Sequence, residues 1–284
     1  MGSGSWTSCA YVTHSTTTRG YNSMADFMSA SAQDLYRSNK LEDCLNPYKV
    51  IRECCDSEEH PNTVPVILAL DVTGSMGSAA EAVAKKLDEI MTELYKTVTD
   101  VEFMIMAIGD LSYDNAPIQA SQFESDIRIA EQLEKVYFEG NGGGNSWESY
   151  TAAWYFALNH TKLDCWNRGK KGIIITLGDE PLNPYLPKTP LSQVTGDNLQ
   201  ADVDTNKLYE DVTKKFDVYH LAIDDSHTSY NFYANNIKET FGDLLGDHFK
   251  VSTLQSLSSD IANIVNESAN NSSAVINDNE LISW

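Results

Sequence analysis

Positive charge is scarce: 20 Lys and Arg stand against 41 Asp and Glu in 284 residues, a formal net charge of −21. A duplex or an anionic membrane would repel that field, which argues against nucleic acid and membrane as partners. No run of about 18 apolar residues occurs, so no transmembrane helix is expected. The opening MGSGSWTSCAYVTHSTTTRG has no basic segment followed by an apolar one, so it does not read as a secretory signal. Trp6 stands where a myristoylation pattern wants Ser or Thr. The five cysteines (Cys9, Cys44, Cys54, Cys55, Cys165) contain no C-x-x-C and no framework-like rhythm. That excludes a disulfide scaffold and a zinc knuckle and suits idle thiols in a reducing compartment, so the expected location is cytoplasmic. Without a secretory route, the Asn-x-Ser/Thr matches at Asn159, Asn266 and Asn271 are coincidental. The six histidines are scattered, none at ligand spacing or beside a nucleophile.

What is present is enough for a core: 42% hydrophobic and 10% aromatic residues. Residues 1 to about 25, rich in Ser, Thr and Gly, read as an irregular arm or cap. MADFMSASAQDLYRSNKL (24–41) has helical spacing, and NPYKVIRECCDSEEHPN is a loop-rich lead-in broken by Pro47 and Pro61. The chain then alternates. VPVILAL (64–70), VEFMIMAI (101–108), GIIIT (172–176), VYHLAI (218–223) and FKVST (249–253) read as strands, the first ones apolar enough to be buried on both faces. IQASQFESD (118–126) is polar, as an edge strand would be. Helical patterns lie between them: a one-face repeat at Val83, Leu87, Ile90 and Leu94, then 128–136, 148–160, 207–216, 230–245 and 256–268. The expected fold is α/β, a doubly wound and mainly parallel sheet with one antiparallel edge strand. The expected division is an N-terminal extension (1–61) packing on or capping a domain (62–268), followed by a tail (269–284).

Such sheets bind ligands outside the carboxyl ends of their strands. Asp71, Asp110 and Asp179 each follow a core strand, and the Gly-rich NGGGNSWES enters a helix at the same level. Asp71-x-Thr73-x-Ser75 could alone be a helix N-cap, and Ser146 could cap the helix that follows it. The oxygens of Asp71, Thr73 and Ser75 could instead hold a divalent cation. Gly142, Gly143 and Gly144 would let the Ser146 loop approach closely.

Asp71-x-Thr73-x-Ser75, GGGNSWES and TLGDEP occur in the order used by von Willebrand factor A (VWA) domains, and residues of about 62–265 resemble that family. The first matches its D-x-[ST]-x-S metal motif. GGGNSWE places Ser146 where G-G-G-D-T-P-E has Thr, with Trp147 in place of Pro. Asp179 lies within Gly-Asp-Glu-Pro where Thr-Asp-Gly is commoner. RECCDSEEHPN, QFESD, GNGGGNSWESY and CWNRGKKG also resemble a group of bacterial VWA proteins, a likeness that brings no activity with it. The resemblance implies strand order 3-2-1-4-5-6 and a metal-ion-dependent adhesion site with Asp71, Thr73, Ser75, Ser146 and Asp179 around Mg²⁺, or Mn²⁺ or Ca²⁺. It implies a binding module rather than an enzyme, whose ion is completed by an Asp or Glu of a partner protein, with Trp147, Tyr113 and Asp110 at the rim. Similar proteins work beside AAA+ ATPases, kinases or phosphatases, which sets the expectation for a partner. DVTGS also resembles the D-x-[DT]-G-T nucleophile motif of haloacid-dehalogenase-like hydrolases, in which Asp71 would be phosphorylated with Mg²⁺ assistance. That family needs a downstream Lys and a separate Ser/Thr motif, and Thr176 lies too close to Asp179 to supply it.

Overall fold

The computed structural model describes residues 5–140 and 147–271. Three short helices, α1 (Ser8–Thr13), α2 (Met24–Ser29) and α3 (Ala32–Leu35), precede a three-residue strand, β1 (Arg52–Cys54). Then come β2 (Val64–Asp71), α4 (Gly77–Leu94), β3 (Val101–Ile108), β4 (Ile118–Ala120), α5 (Arg128–Leu133), α6 (Thr151–His160) and β5 (Thr161–Leu163). The chain continues through β6 (Gly172–Gly178), β7 (Tyr185–Leu186), α7 (Lys188–Thr195), β8 (Val203–Asp204) and α8 (Thr205–Val212). It closes with β9 (Phe216–Ile223), α9 (Tyr230–Leu245), β10 (Phe249–Ser252) and α10 (Leu257–Asn271).

Six strands form the central sheet in the order β10-β9-β6-β2-β3-β4, which is 3-2-1-4-5-6 when they are counted along the chain. All pairs are parallel except β3 with β4, so the expected doubly wound sheet with one antiparallel edge is found. β2 lies at the centre, paired with β3 from Val64↔Val101 to Asp71↔Ile108 and with β6 from Val66↔Ile173 to Leu70↔Leu177. Its side chains alternate between two cores: Val66, Leu68 and Leu70 face α4 and α10, and Ile67 and Ala69 face α6, α8 and α9. That two-sided burial is why the strand is apolar throughout. α4 turns Ala80, Val83, Ala84, Leu87, Ile90, Met91 and Leu94 inward, the stripe of a helix packed on one face.

The N-terminal residues depart from the expected irregular arm. Thr7 caps α1, which runs into a π-helical turn at His14–Thr18. Trp6 and Tyr11 are buried on α4, where Trp6 Nε1 donates to Asp88 (2.8 Å) and the Tyr11 hydroxyl to the Ala84 carbonyl (2.7 Å). The single helix expected over 24–41 is split, because Ala30 is extended and Ser31 starts α3 with a reciprocal capping box to Asp34. β1, within the expected loop, pairs in parallel with β5 from Arg52↔Thr161 to Cys54↔Leu163. The pair β7–β8 and helix α7 lie in a stretch to which the sequence assigned no element.

Candidate metal centre

β2 carries Asp71 to the carboxyl edge of the sheet, and a tight turn leads through Thr73 into a 3₁₀ turn (Gly74–Met76) and α4. Asp71 is fully buried. Its Oδ1 accepts the Thr73 backbone N–H (2.8 Å) and the Thr73 hydroxyl (2.6 Å), and its Oδ2 accepts the Tyr150 hydroxyl (2.8 Å). The motif is therefore folded back on its own acid, and Thr73 is held with it inside the sheet edge.

Asp179 follows β6, the strand beside β2, and is equally buried. Its Oδ2 accepts the Ser229 backbone N–H (2.5 Å) at the entry to α9, and the nearby Ser75 hydroxyl opposes the rise of its carboxyl pKa. Its Oδ1 has no hydrogen-bond partner. Tyr150 joins the two acids: while donating to Asp71, its hydroxyl lies 3.3 Å from the backbone N–H groups of Asp179 and Glu180. The ring packs against Gly178, where a Cβ would sit 2.3 Å from the hydroxyl oxygen, so only glycine fits there. Behind the ring lie His220 and Phe241, with centroids 5.3 and 5.8 Å away. Burial lowers the His220 pKa to about 3, so this ring is neutral and contributes no charge to the site.

Further carboxylates crowd the same edge. Glu148 is 2% exposed, and Glu148 Oε2 and Glu180 Oε2 lack hydrogen-bond partners. None of the ion pairs among the described residues involves Asp71, Glu148, Asp179 or Glu180. Burial pushes all four carboxyls above the ordinary range, and like charge adds to it: Asp179 acts on Asp71, and Asp71 and Glu180 act on Glu148. Glu180 rises to about 7 through burial, then Asp179 and Asp110. Asp114 rises to about 6, mainly through burial, with Glu139 and Asp110 adding to it. Uncompensated buried carboxylates are costly, and they are relieved either by taking up protons or by a cation.

The donor set fits a hard divalent ion. Asp71, Thr73, Ser75 and Asp179 converge, and all their donor atoms are oxygens. Among the described residues no three His, Cys, Asp or Glu side chains form a cation site by themselves, so the hydroxyls would be integral to any shell. Ser146 and its glycines lie outside the described residues. Of the expected rim, Tyr113 and Trp147 are exposed (59% and 38%). Asp110 differs: it is buried, its Oδ1 accepting the Ser112 N–H (2.6 Å), because it closes its own turn instead of facing outward. The sequence reading missed Tyr150, Glu148, Glu180 and Ser229, as well as Phe232, 82% exposed on the first turn of α9. Gly178 immediately before Asp179 was the available signal for a large neighbour.

No family model matches the chain, and none of the curated proteins does. Among solved structures, the chain is similar to the pilus adhesin SpaC of Lactobacillus rhamnosus GG in its open conformation (TM-score 0.46, 12% identity, 81% of this chain and 31% of that one). It is similar to the vWF domain of the type V pili tip protein Mfa5 of Porphyromonas gingivalis (TM-score 0.47, 12% identity, 72% and 94%). It is similar also to proximal thread matrix protein 1 of the mussel byssus (TM-score 0.46, 10% identity, 78% and 49%). The chain thus spans about a third of the adhesin's length. The α/β architecture stands on the strand order itself: a doubly wound, VWA-like sheet with buried acids at its carboxyl edge.

Proposed function

We propose that this chain is a cation-dependent protein-binding module, in which Asp71, Thr73, Ser75 and Asp179, with Ser146, hold Mg²⁺ or a similar ion. The observation that carries the reading is the set of buried oxygens without partners, Asp179 Oδ1 foremost, beside an Asp71 already fixed by Thr73 and Tyr150. A scaffold without metal would satisfy these oxygens internally. The bound ion would supply an electrophilic point that an acidic side chain of a partner completes. This chain's own residues do the positioning: Tyr150 and the Thr73 N–H hold Asp71, the Ser229 N–H holds Asp179, and Tyr113, Trp147 and Phe232 offer apolar surface around the edge.

A phosphoaspartate enzyme fits less well, because a nucleophile must be reachable and Asp71 is fully buried with both oxygens hydrogen-bonded. No helix among the described residues is long and apolar enough to cross a membrane. All five cysteines are free, Cys54 and Cys165 buried, and a cytoplasmic setting is part of this proposal. There the partner would be an acidic segment of a client such as an ATPase, kinase or phosphatase assembly. Calorimetry with Mg²⁺ and Mn²⁺ tests the site: wild type should bind and Asp71→Ala should not. Silence from both proteins at millimolar metal, together with a captured partner indifferent to EDTA, would sink the proposal.

A further inference from the structure

At the far end of α6 from Tyr150, one imidazole is held from both sides. His160 is the last residue of that helix and is 4% exposed. Its Nε2 lies 2.7 Å from Asp197 Oδ2, and its Nδ1 lies 3.0 Å from the Val50 carbonyl oxygen. The Tyr155 hydroxyl donates to the same Asp197 oxygen (2.6 Å). Against its partial burial, Tyr155 and His160 hold the Asp197 carboxyl below the ordinary range, so it stays ionised.

A carbonyl and a carboxylate can only accept, and a neutral imidazole has a single N–H. Only the imidazolium donates to both at once; either neutral tautomer turns a nitrogen lone pair toward an oxygen. Two more features favour the charge. The ring sits at the helix C-terminus, where the macrodipole is negative, and the Phe156 ring stacks on it (centroids 5.1 Å apart, planes at 11°). The neighbouring cations are engaged elsewhere: Lys49 holds its ammonium over the Tyr48 ring (5.2 Å), and Lys162 on β5 pairs with Glu53 on β1 (3.4 Å).

The ring thus fastens three pieces together: α6, the turn after α7 that carries Asp197, and the segment leading into β1. That segment is tightly bent. Lys49 has φ 54°, the only non-glycine residue in the left-handed region among the described residues, and its N–H donates to the Thr195 carbonyl (2.8 Å). Such a backbone persists only where its surroundings fix it. Two residues beyond Val50, the buried Arg52 donates to the Ala120 carbonyl (2.8 Å) on β4, the antiparallel edge of the sheet.

We infer that His160 is a proton-operated clasp: as the imidazolium it straps residues 46–54 over the edge of the sheet, and on losing a proton it gives up one of its two anchors and lets the strap loosen. Imidazole is the side chain whose charge ordinarily changes between about pH 5 and 8, so the clasp closes on acidification and loosens as pH rises. It works with or without an ion at the acidic edge.

Hydrogen exchange of the full chain, corrected for intrinsic rates, reads the strap between about pH 5 and 8. Residues 46–54 should be protected roughly tenfold or more better at the acid end, the equivalent of one charge-assisted hydrogen bond. In His160→Gln, which has no titrating proton, that contrast should disappear, with thermal melts confirming that the variant is folded. Should the variant unfold, the wild-type ring decides: two-bond ¹H–¹⁵N correlations should show both nitrogens protonated at the acid end and one at the other, in step with the exchange. Equal protection across the range, an undiminished contrast in folded His160→Gln, or a ring already neutral at the acid end each overturns the clasp.

Discussion

Gly178→Ala tests whether the strand end is sealed by Tyr150. The backbone at Gly178 is not in the left-handed region, so alanine meets no conformational penalty there and any cost is steric. The added Cβ would lie 2.3 Å from the Tyr150 hydroxyl oxygen and 2.4 Å from Cε1 and Cζ. The ring has nowhere to retreat, being 1% exposed and backed by His220 and Phe241. Overpacking of this kind costs about 1–3 kcal/mol. Displacing the hydroxyl also breaks its 2.8 Å bond to Asp71, and a hydrogen bond to a charged group contributes about 1.5–3 kcal/mol. Together that is about 2.5–6 kcal/mol, a large share of ordinary domain stability. At roughly 2–4 °C per kcal/mol for a chain of this size, Tm should fall by roughly 5–24 °C, measured by circular dichroism. Tyr150→Phe alone should cost only the hydroxyl part. Alanine at 178 should then cost less in the Phe background by about 1 kcal/mol or more, because that bond is already gone. A Gly178→Ala protein melting within about 2 °C of wild type would refute the sealing role and detach Tyr150 from the geometry of Asp71.

Two further outcomes are expected. Asp114→Asn should raise the metal-free Tm by a few degrees at pH 8, by less at pH 5, and leave it unchanged only below the unfolded carboxyl value of about 3.9. The Asp114 carboxyl is raised to about 6, so its favourable contribution is complete at low pH and is lost as pH rises through that value; a lower Tm for the variant at pH 8 would contradict this. Glu134 is held below the ordinary carboxylate range despite its burial, by His14, Arg19 and Arg37, so its contribution is present above the unfolded value of about 4.3 and fades as pH falls further. Hydrogen exchange over residues 8–37, corrected for intrinsic rates, should therefore quicken on acidification below about pH 4, and Glu134→Gln should quicken it already at pH 7. Equal protection in variant and wild type at pH 7 would rule out this anchoring.

The core strands were legible because each side of the sheet is covered. β2, β3 and β6 are buried along nearly their whole length and so are written as uninterrupted apolar runs. The polar edge was legible for the converse reason, although its regular pairing is confined to Ile118–Ala120 and a lone bridge between Phe103 and Glu124. Of the N-terminal helices α1 was not legible, and α2 and α3 were legible only as one helix over 24–41; they are six, six and four residues long. Helices so short owe their existence to tertiary contacts, here Trp6, Tyr11 and Phe27 against the domain, and carry almost no period of their own. β1 and β5 failed for a related reason: each has three residues, and its partner lies more than a hundred residues away.

The candidate site divides along the same line. Asp71, Thr73 and Ser75 are local, and two hydrogen bonds from Thr73 to Asp71 close within three residues, so spacing alone exposes them. Tyr150 and Ser229 reach the two acids from 79 and 50 residues away, and no local pattern announces either. The acidic composition was visible, but its distribution was not. Surplus acid on a surface serves solubility and asks for no ligand. Asp71, Glu148 and Asp179 are instead buried together at the strand ends, and Asp179 Oδ1 and Glu148 Oε2 are left unpaired. Burial of like charges is unfavourable unless the acids take up protons or something of opposite sign arrives. On the reading proposed above, a cation held by this chain would answer that demand, and an acidic side chain of a partner would complete the cation.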